Sequence, residues 1–231
     1  MLTKEMQTIL ENAEESGWVQ EPEAKRMLHL AGVDVPKFFM ATTEEEALKA
    51  ADDIGYPVVA KVVSEAIVHK SDVGGVEVGI QDAAGLRSVF DRYSILEGFT
   101  GILVEEMLMG AELIIGATND YQFGPVILMG IGGTGVEIYK DTVIRMAPVT
   151  EADVHAMVEG LRGAELLKGY RGGESIGMPE LNRLMLAFSE LVMDLKDNMS
   201  SIDLNPVKCT ASRCVAVDAR IMLNTFHAEV S

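Results

Sequence analysis

Between Tyr56 and Ile80 the chain reads YPVVAKVVSEAIVHKSDVGGVEVGI. Its first part, Pro57 to Val63, is apolar and β-branched, the composition of a buried strand, with a single charge set into it at Lys61. An ammonium group in such a strand is costly unless an anion meets it. Eight residues later His69 opens a polar loop that holds Lys70, Ser71 and Asp72 and ends in Gly74–Gly75. A glycine pair by itself marks only a reversal of the chain. Downstream of Lys61, and with an acidic cluster near the C-terminus, the loop reads instead as one that handles phosphate. Of the 4 histidines only His69 sits on such a loop. Loop placement leaves an imidazole nucleophile free to reach a phosphorus and then move. The plainer alternative is a histidine that caps a turn.

Elements follow from periodicity and punctuation. Residues 3 to 16 carry Met6, Ile9, Leu10 and Ala13 on one helical face and stop at Gly17. Pro22 opens a second helix that ends before Gly32, and Thr43-x-x-Glu46 has the capping-box form that starts a third. The Lys61 strand, the glycine loop, a strand over Val76 to Ile80 and a helix from Ala83 to Leu96 complete a small α/β lobe. From Phe99-Thr100-Gly101 the character changes. Segments 101–107, 112–118 and 125–131 read as successive strands, and 136–139 with 142–146 as a hairpin across Lys140-Asp141. Helices are expected near 151–161 and 179–195, and two closing strands at SIDLNPV and CVAVDARI. The expected division is therefore residues 1–100 as one lobe and 101–231 as another, with a joint at 97–104 and a cleft between them.

The 231 residues suffice for two small lobes, and 48% hydrophobic with 24% charged residues is the balance of a soluble globular protein. A net charge of −17 argues against nucleic acid or an anionic membrane as partner, so a bound nucleotide must be neutralised locally. The N-terminus has no apolar signal core, and no apolar run reaches membrane-spanning length. With only Cys209 and Cys214 there is no disulfide framework, and a reducing cytoplasm is expected. Without a histidine nearby the two cysteines make no zinc site.

Two oxygen-rich clusters remain. Glu105, Glu106 and Glu112 form the first; side chains alternate along a strand, so Glu105 and Glu106 point to opposite faces. Carboxylates accept from the adenine amino group and ribose hydroxyls, although a solvated strand edge would look the same. Asp203, Asn205 and Asp218 form the second. The first two share a strand face, and Asp218 interrupts the apolar run VAVDARI, so hard oxygen donors gather in a way that suits Mg²⁺ arriving with a nucleotide. A turn carboxylate and a cap are the alternative. Gly132–Gly133 with Thr134 reads either as phosphate-facing amides or as a turn, and Arg145 either as reaching a phosphate or as pairing with Asp141. The basic segment 167–173 has no evident role, and His29, His155 and His227 read as surface residues.

These pieces together resemble the ATP-grasp superfamily, and within it the β subunit of ADP-forming acyl-CoA (acetyl-CoA) synthetases, relatives of succinyl-CoA synthetase. The segments that carry the resemblance are AIVHKSDVGGVEVGI, GILVEEMLMGAELIIGATNDYQFGPVILMGIGGTGVEIYKDTVIRMAPV, LLKGYRG, and DLNPV with VAVDARI. The resemblance implies an α/β (α+β) ATP-grasp fold whose two lobes flank a nucleotide cleft. It implies interconversion of acyl-CoA, ADP and phosphate with free acid, CoA and ATP through phosphohistidine. It also implies a CoA-binding α subunit as partner, in an α₂β₂ assembly.

Residue by residue, with a first phosphohistidine on the α subunit, His69 matches the second one, which ferries the phosphoryl group to the nucleotide. Lys61 would hold ATP phosphates, with Lys70 and Gly74–Gly75 in the loop beside it. Glu105, with its neighbour Glu106 and the backbone near Met107, would meet adenine, Glu112 the ribose, and Arg145 a phosphate. Asn205 and Asp218, with Asp203, would hold Mg²⁺. The chain departs from the pattern at Ser201, where relatives often carry an acidic residue. Two other functions fit parts of the pattern. An ATP-grasp carboxylate ligase would need no mobile histidine, and a regulatory ATP-binding subunit would keep Lys61 and Glu105 but gain nothing from His69.

Overall fold

The computed structural model describes residues 1–67, 70–133, 141–170 and 174–224. In chain order the elements are α1 (Lys4–Ala13), β1 (Trp18–Val19), α2 (Glu21–Leu30), β2 (Phe38–Ala41), α3 (Glu44–Ile54), β3 (Val58–Ser64), a 3₁₀ turn (Lys70–Val73), β4 (Val76–Ile80) and α4 (Ala83–Ser94). There follow β5 (Phe99–Glu106), β6 (Ala111–Asp120), β7 (Gly124–Ile131), β8 (Thr142–Met146), α5 (Glu151–Gly160), α6 (Ala164–Leu167), α7 (Met178–Leu195), β9 (Met199–Cys209), β10 (Cys214–Ala216) and β11 (Arg220–Leu223). His69, Thr134, the 136–139 arm of the expected hairpin with Lys140, residues 171–173 and His227 lie outside the described residues.

Helix starts follow their caps. Thr3 accepts from the Met6 amide, and α1 buries Met6, Ile9, Leu10 and Ala13. At α3 the capping box is complete: the Thr43 hydroxyl accepts from the Glu46 amide and the Glu46 carboxylate from the Thr43 amide, and Gly55 ends the helix at φ 93°. Thr150 and Asp153 repeat the same box at α5.

The chain forms two compact units, Pro36–Leu108 and Met1–Val35 with Met109–Ser231. In the smaller unit a four-stranded antiparallel sheet runs β2-β5-β3-β4. Val58, Ala60 and Val62 of β3, with Ile102 and Val104 of β5, meet Ala47 and Ala51 of α3 and Leu86, Val89 and Tyr93 of α4 in one core. The division departs from the expected boundary at residue 100 because β5 is a central strand here, in register with β3 from Val58↔Glu106 to Ser64↔Phe99. A cut at 97–104 would take the middle out of the sheet. The segment that opens the unit, β2, carries no signal beyond the short run FFMA, and it closes the edge by pairing with β5.

The larger unit holds a seven-stranded sheet, β1-β11-β9-β6-β7-β8, with β10 paired to β9. One face buries Ile115, Ile127, Met129, Ile202 and Leu204 together with Leu181, Leu184, Met185 and Phe188 of α7, so the apolar stripe expected for that helix is core. Between Leu113 and Ile115 the register of β6 on β9 slips at Asn205–Pro206, which is how one long strand adjusts to a proline that lacks an amide donor. The run VAVDARI is not one strand. β10 ends at Ala216, Val217 donates to the Pro206 carbonyl at 3.0 Å, and β11 begins at Arg220, so Asp218 sits half-buried in the bend between them.

Cys209 and Cys214 stand directly opposite one another on β9 and β10 and form a disulfide. Two cysteines make no framework, but facing positions on antiparallel strands bring their side chains within reach. The pair of thiols expected of a reducing compartment is therefore a hairpin cross-link in the structure.

Candidate functional site

Lys61 lies on the face of β3 that carries Val59 and Val63, opposite to the α3/α4 core. Its pairing partner on β5 is Leu103, and Val59 pairs with Glu105, so Lys61 and Glu105 are diagonal neighbours on one face. The Lys61 Nζ stands 3.3 Å from Glu105 Oε2, with side-chain exposures of 4% and 0%. The anion that the strand demanded is thus partly a residue of the same sheet. Glu106 points the other way, as alternation requires: its carboxylate accepts from the Lys37 amide at 2.9 Å, and its own amide donates to the Lys37 carbonyl. That carboxylate serves to fasten the chain entering β2. Met107 follows the strand, and a Cβ at Gly79 would stand 3.9 Å from its sulfur.

Residues Lys70 to Gly75 form the near side of the loop that His69 opens. Gly75 donates to the Lys70 carbonyl at 2.7 Å and Gly74 to Ser71 at 3.2 Å, while Val62 of β3 donates to the Gly75 carbonyl. Gly74 adopts φ 64°, and a Cβ at Gly75 would stand 2.5 Å from Val62 Cγ1. The glycines therefore let the loop fold closely against β3, and in this conformation their amides bind loop carbonyls rather than facing an anion.

The remaining residues lie in the larger unit. Cross-strand register runs Ile144–Leu128–Gly116–Asp203–Arg220 in one row across five strands. Glu112 and Lys208 pair on the same face, the one turned away from α7, with 3.4 Å between Lys208 Nζ and Glu112 Oε1. Asp203 Oδ2 accepts from the Arg220 guanidinium at 3.1 Å, and Asn205 is exposed at the register slip. The bond from Val217 to the Pro206 carbonyl holds the Asp218 bend against the Asn205–Pro206 step. Glu112, Asp203 and Asn205 are thus gathered along one face, with Asp218 beside its polar end. Gly132 joins Glu112 by donating to its carbonyl at 2.7 Å.

Arg145 is not in this group. It pairs with Ile127, which shares its face with Ala117 and Ile202, the face that α7 covers. Its guanidinium donates to the Ile144 carbonyl and lies near Asp153, whose carboxyl is held below the usual range by the Thr150 hydroxyl and amide, with a smaller contribution from Arg145. Nor does Arg145 take Asp141, whose two oxygens accept from the Arg162 and Gly163 amides. Sequence alone offered no partner register for that strand. Two cations that do stand on the acidic face among the described residues, Lys208 and Arg220, were also missed; the available signal was spacing, since Lys208 is a lone charge in NPVKC and Arg220 lies two residues beyond Asp218.

Among the described residues no three His, Cys, Asp or Glu side chains converge as a metal centre. Asn205 and Asp218 still supply the donor type Mg²⁺ prefers, a carbonyl and a carboxylate oxygen, and a nucleotide's phosphates would complete such a shell. Asp203 fits less well, because Arg220 already occupies one of its oxygens. Among the described residues no helix is long and apolar enough to cross a membrane.

Residues 11–223 match the ATP-grasp domain family. The chain is 38% identical to the β subunit of acetate–CoA ligase [ADP-forming] I of Pyrococcus furiosus, over 93% of this chain and 96% of that protein. It is 40% identical to the β subunit of isoform II from the same organism, over 88% and 90%. A solved structure of acetyl-coenzyme A synthetase 1 of Ca. Korarchaeum cryptofilum, with coenzyme A and Mg-AMPPCP and with its phosphohistidine segment pointing towards the nucleotide site, is similar at TM-score 0.84 and 32% identity, covering 95% of this chain and 100% of that one.

Proposed function

We propose, for a chain that belongs to the ATP-grasp family and within it to the β subunits of ADP-forming acetate–CoA ligases, that it is the nucleotide-binding subunit of an ADP-forming acyl-CoA synthetase. The reaction interconverts acyl-CoA, ADP and phosphate with the carboxylic acid, CoA and ATP. A partner α subunit holds CoA, and phosphate displaces CoA from the acyl group there to give an acyl phosphate. A histidine of the α subunit attacks that phosphorus, its N–P bond forming as the acyl O–P bond breaks and the carboxylate leaves. A ring nitrogen of His69 then attacks the same phosphorus, and the N–P bond to His69 forms as the N–P bond to the first histidine breaks. A β-phosphate oxygen of ADP then attacks the same phosphorus, the N–P bond breaks, and the imidazole is restored. Phosphoryl transfer of this kind asks the protein for alignment and charge neutralisation more than for covalent work.

The roles divide accordingly. Lys61 meets nucleotide phosphate while Glu105, 3.3 Å away, holds the ammonium in place and turns a carboxylate edge towards adenine. Glu112 accepts from ribose hydroxyls. Asn205 and Asp218 hold Mg²⁺, which when bound offsets phosphate charge. Lys70 and the Gly74–Gly75 step carry His69 on a loop that moves between the subunits of an α₂β₂ assembly in the cytoplasm.

The observation that most supports this reading is the HKSDVGG run, intact and downstream of β3, the strand that contributes Lys61 to the buried Lys61–Glu105 pair. A carboxylate ligase or a nucleotide sensor has no use for that histidine. The test is reconstitution. The chain with a matching α subunit should form ATP from acetyl-CoA, ADP and phosphate and lose that activity with His69→Asn; full activity in the variant would overturn the reading.

A further inference from the structure

A chain of net charge −17 that takes up a nucleotide needs cations at the phosphates. In the larger unit the sequence nominated Arg145 for this, and register puts it on the face covered by α7. Lys208 stands on the acidic face but is engaged with Glu112. Arg220 differs from both. It pairs directly with Asp203 across β9 and β11, two residues from Asp218 in sequence, while Asp203 is two residues from Asn205. Its side chain is 32% exposed, and one nitrogen donates to Asp203 Oδ2 at 3.1 Å. Among the described residues Asp203 is its only partner. A guanidinium has five donors in a rigid fork, so most remain available on a face that already holds the oxygen donors.

The neighbouring position in the row carries no side chain of its own. Gly116 lies across β9 from Arg220, opposite Asp203, and a Cβ there would come 3.8 Å from Asp203 Oδ1 and 3.2 Å from the Ile202 carbonyl. In that row of described residues, the position between Asp203 and the apolar end at Leu128 and Ile144 is a glycine.

We propose that Arg220 contacts the phosphates of the bound nucleotide and that Asp203 is its positioning partner rather than a metal ligand. This rests on the nucleotide-binding reading above and adds to it a residue and a changed role. A carboxylate that anchors one edge of a guanidinium fixes the direction of the opposite edge, which suits two-point recognition of a phosphate.

The test is calorimetry on the full chain, titrated with MgATP, with ATP at varied Mg²⁺ and with adenosine. Arg220→Gln is expected to weaken MgATP on the order of tenfold, the scale of a lost charge-assisted hydrogen bond, and to leave adenosine unchanged. Arg220→Lys should recover part of the loss and keeps the test valid if the glutamine variant does not fold. Asp203→Asn should weaken MgATP less than Arg220→Gln and leave the dependence of ATP binding on Mg²⁺ as in the parent. Unchanged MgATP affinity in both Arg220 variants, an equal loss for adenosine, or a Mg²⁺ dependence abolished by Asp203→Asn would each overturn the proposal. So would the same tenfold loss in Arg145→Gln with none at Arg220. A parent chain that binds adenosine and MgATP equally weakly would instead remove the nucleotide reading itself, and this inference with it.

Discussion

The two units each set a basic and an acidic side chain on neighbouring strands at nearly the same separation, 3.3 Å for Lys61–Glu105 and 3.1 Å for Arg220–Asp203. Distance is where the likeness ends. The first pair has side-chain exposures of 4% and 0%, the second 32% and 49%. In the smaller unit both charges have left water, so each depends on the other and on the groups around it. In the larger unit water shares the work, the pair is screened, and its net contribution to stability is small. A buried pair is a fixed element of the fold, whereas a half-exposed one can re-form around a ligand at little cost. The contrast separates a lysine that is built into its strand from an arginine that is held ready on its sheet.

The largest effect should come from breaking the buried pair. Lys61→Ala leaves the Glu105 carboxylate without its ammonium partner and is expected to destabilise the chain by about 3–5 kcal/mol in urea unfolding. Replacing both residues by Met and Leu should return most of that stability while nucleotide binding stays lost. If Lys61→Ala unfolds like the parent, the distinction between the two pairs fails.

Next is Gly75→Ala, whose Cβ would stand 2.5 Å from Val62 Cγ1 and 3.0 Å from the Lys70 carbonyl. Overpacking of that kind costs about 1–3 kcal/mol, and a smaller loss would mean the loop is free to move away from β3. Thr43→Ala removes the cap of α3 and should cost about 1 kcal/mol in the same assay. The exposed pair comes last among the substitutions: Asp203→Asn and Arg220→Gln should each change unfolding stability by no more than about 1 kcal/mol.

The smallest effect is shared by both units, because each has a capping box closed by an acid. Thr42 and then Thr43 hold Glu46, and Thr150 holds Asp153, below their ordinary pKa values. A depressed folded-state pKa contributes stability that is fully present above the unfolded value and is lost as pH falls through the folded one. Both boxes should therefore weaken only below about pH 4. Thr150→Ala should flatten that acid limb in a pH series of melting temperatures and leave the neutral range parallel to the parent.

Much of the architecture was legible because its signals are local. Thr43-x-x-Glu46 announced α3, and the spacing of Leu181, Leu184, Met185 and Phe188 announced α7 and its buried face. Lys61 was legible as a charge in an apolar strand, and the opposite pointing of Glu105 and Glu106 followed from alternation. What escaped was set by partners far along the chain. That β5 belongs with β3, that Arg145 shares a face with Ile127, and that Asp203 meets Arg220 are facts of register, which one strand's sequence does not contain. The bend at Asp218 escaped for a related reason. VAVDARI is apolar enough for one strand, and only the Pro206 carbonyl, accepting from Val217, shows where the chain must turn.

The central claim is that His69 carries the phosphoryl group, and its most direct test is labelling of the chain by γ-labelled ATP with Mg²⁺, without and with the α subunit. Label that is acid-labile, stable to alkali and absent from His69→Asn is the expected result. Tight MgATP binding with no label even when the α subunit is present, or equal label in His69→Asn, would contradict it.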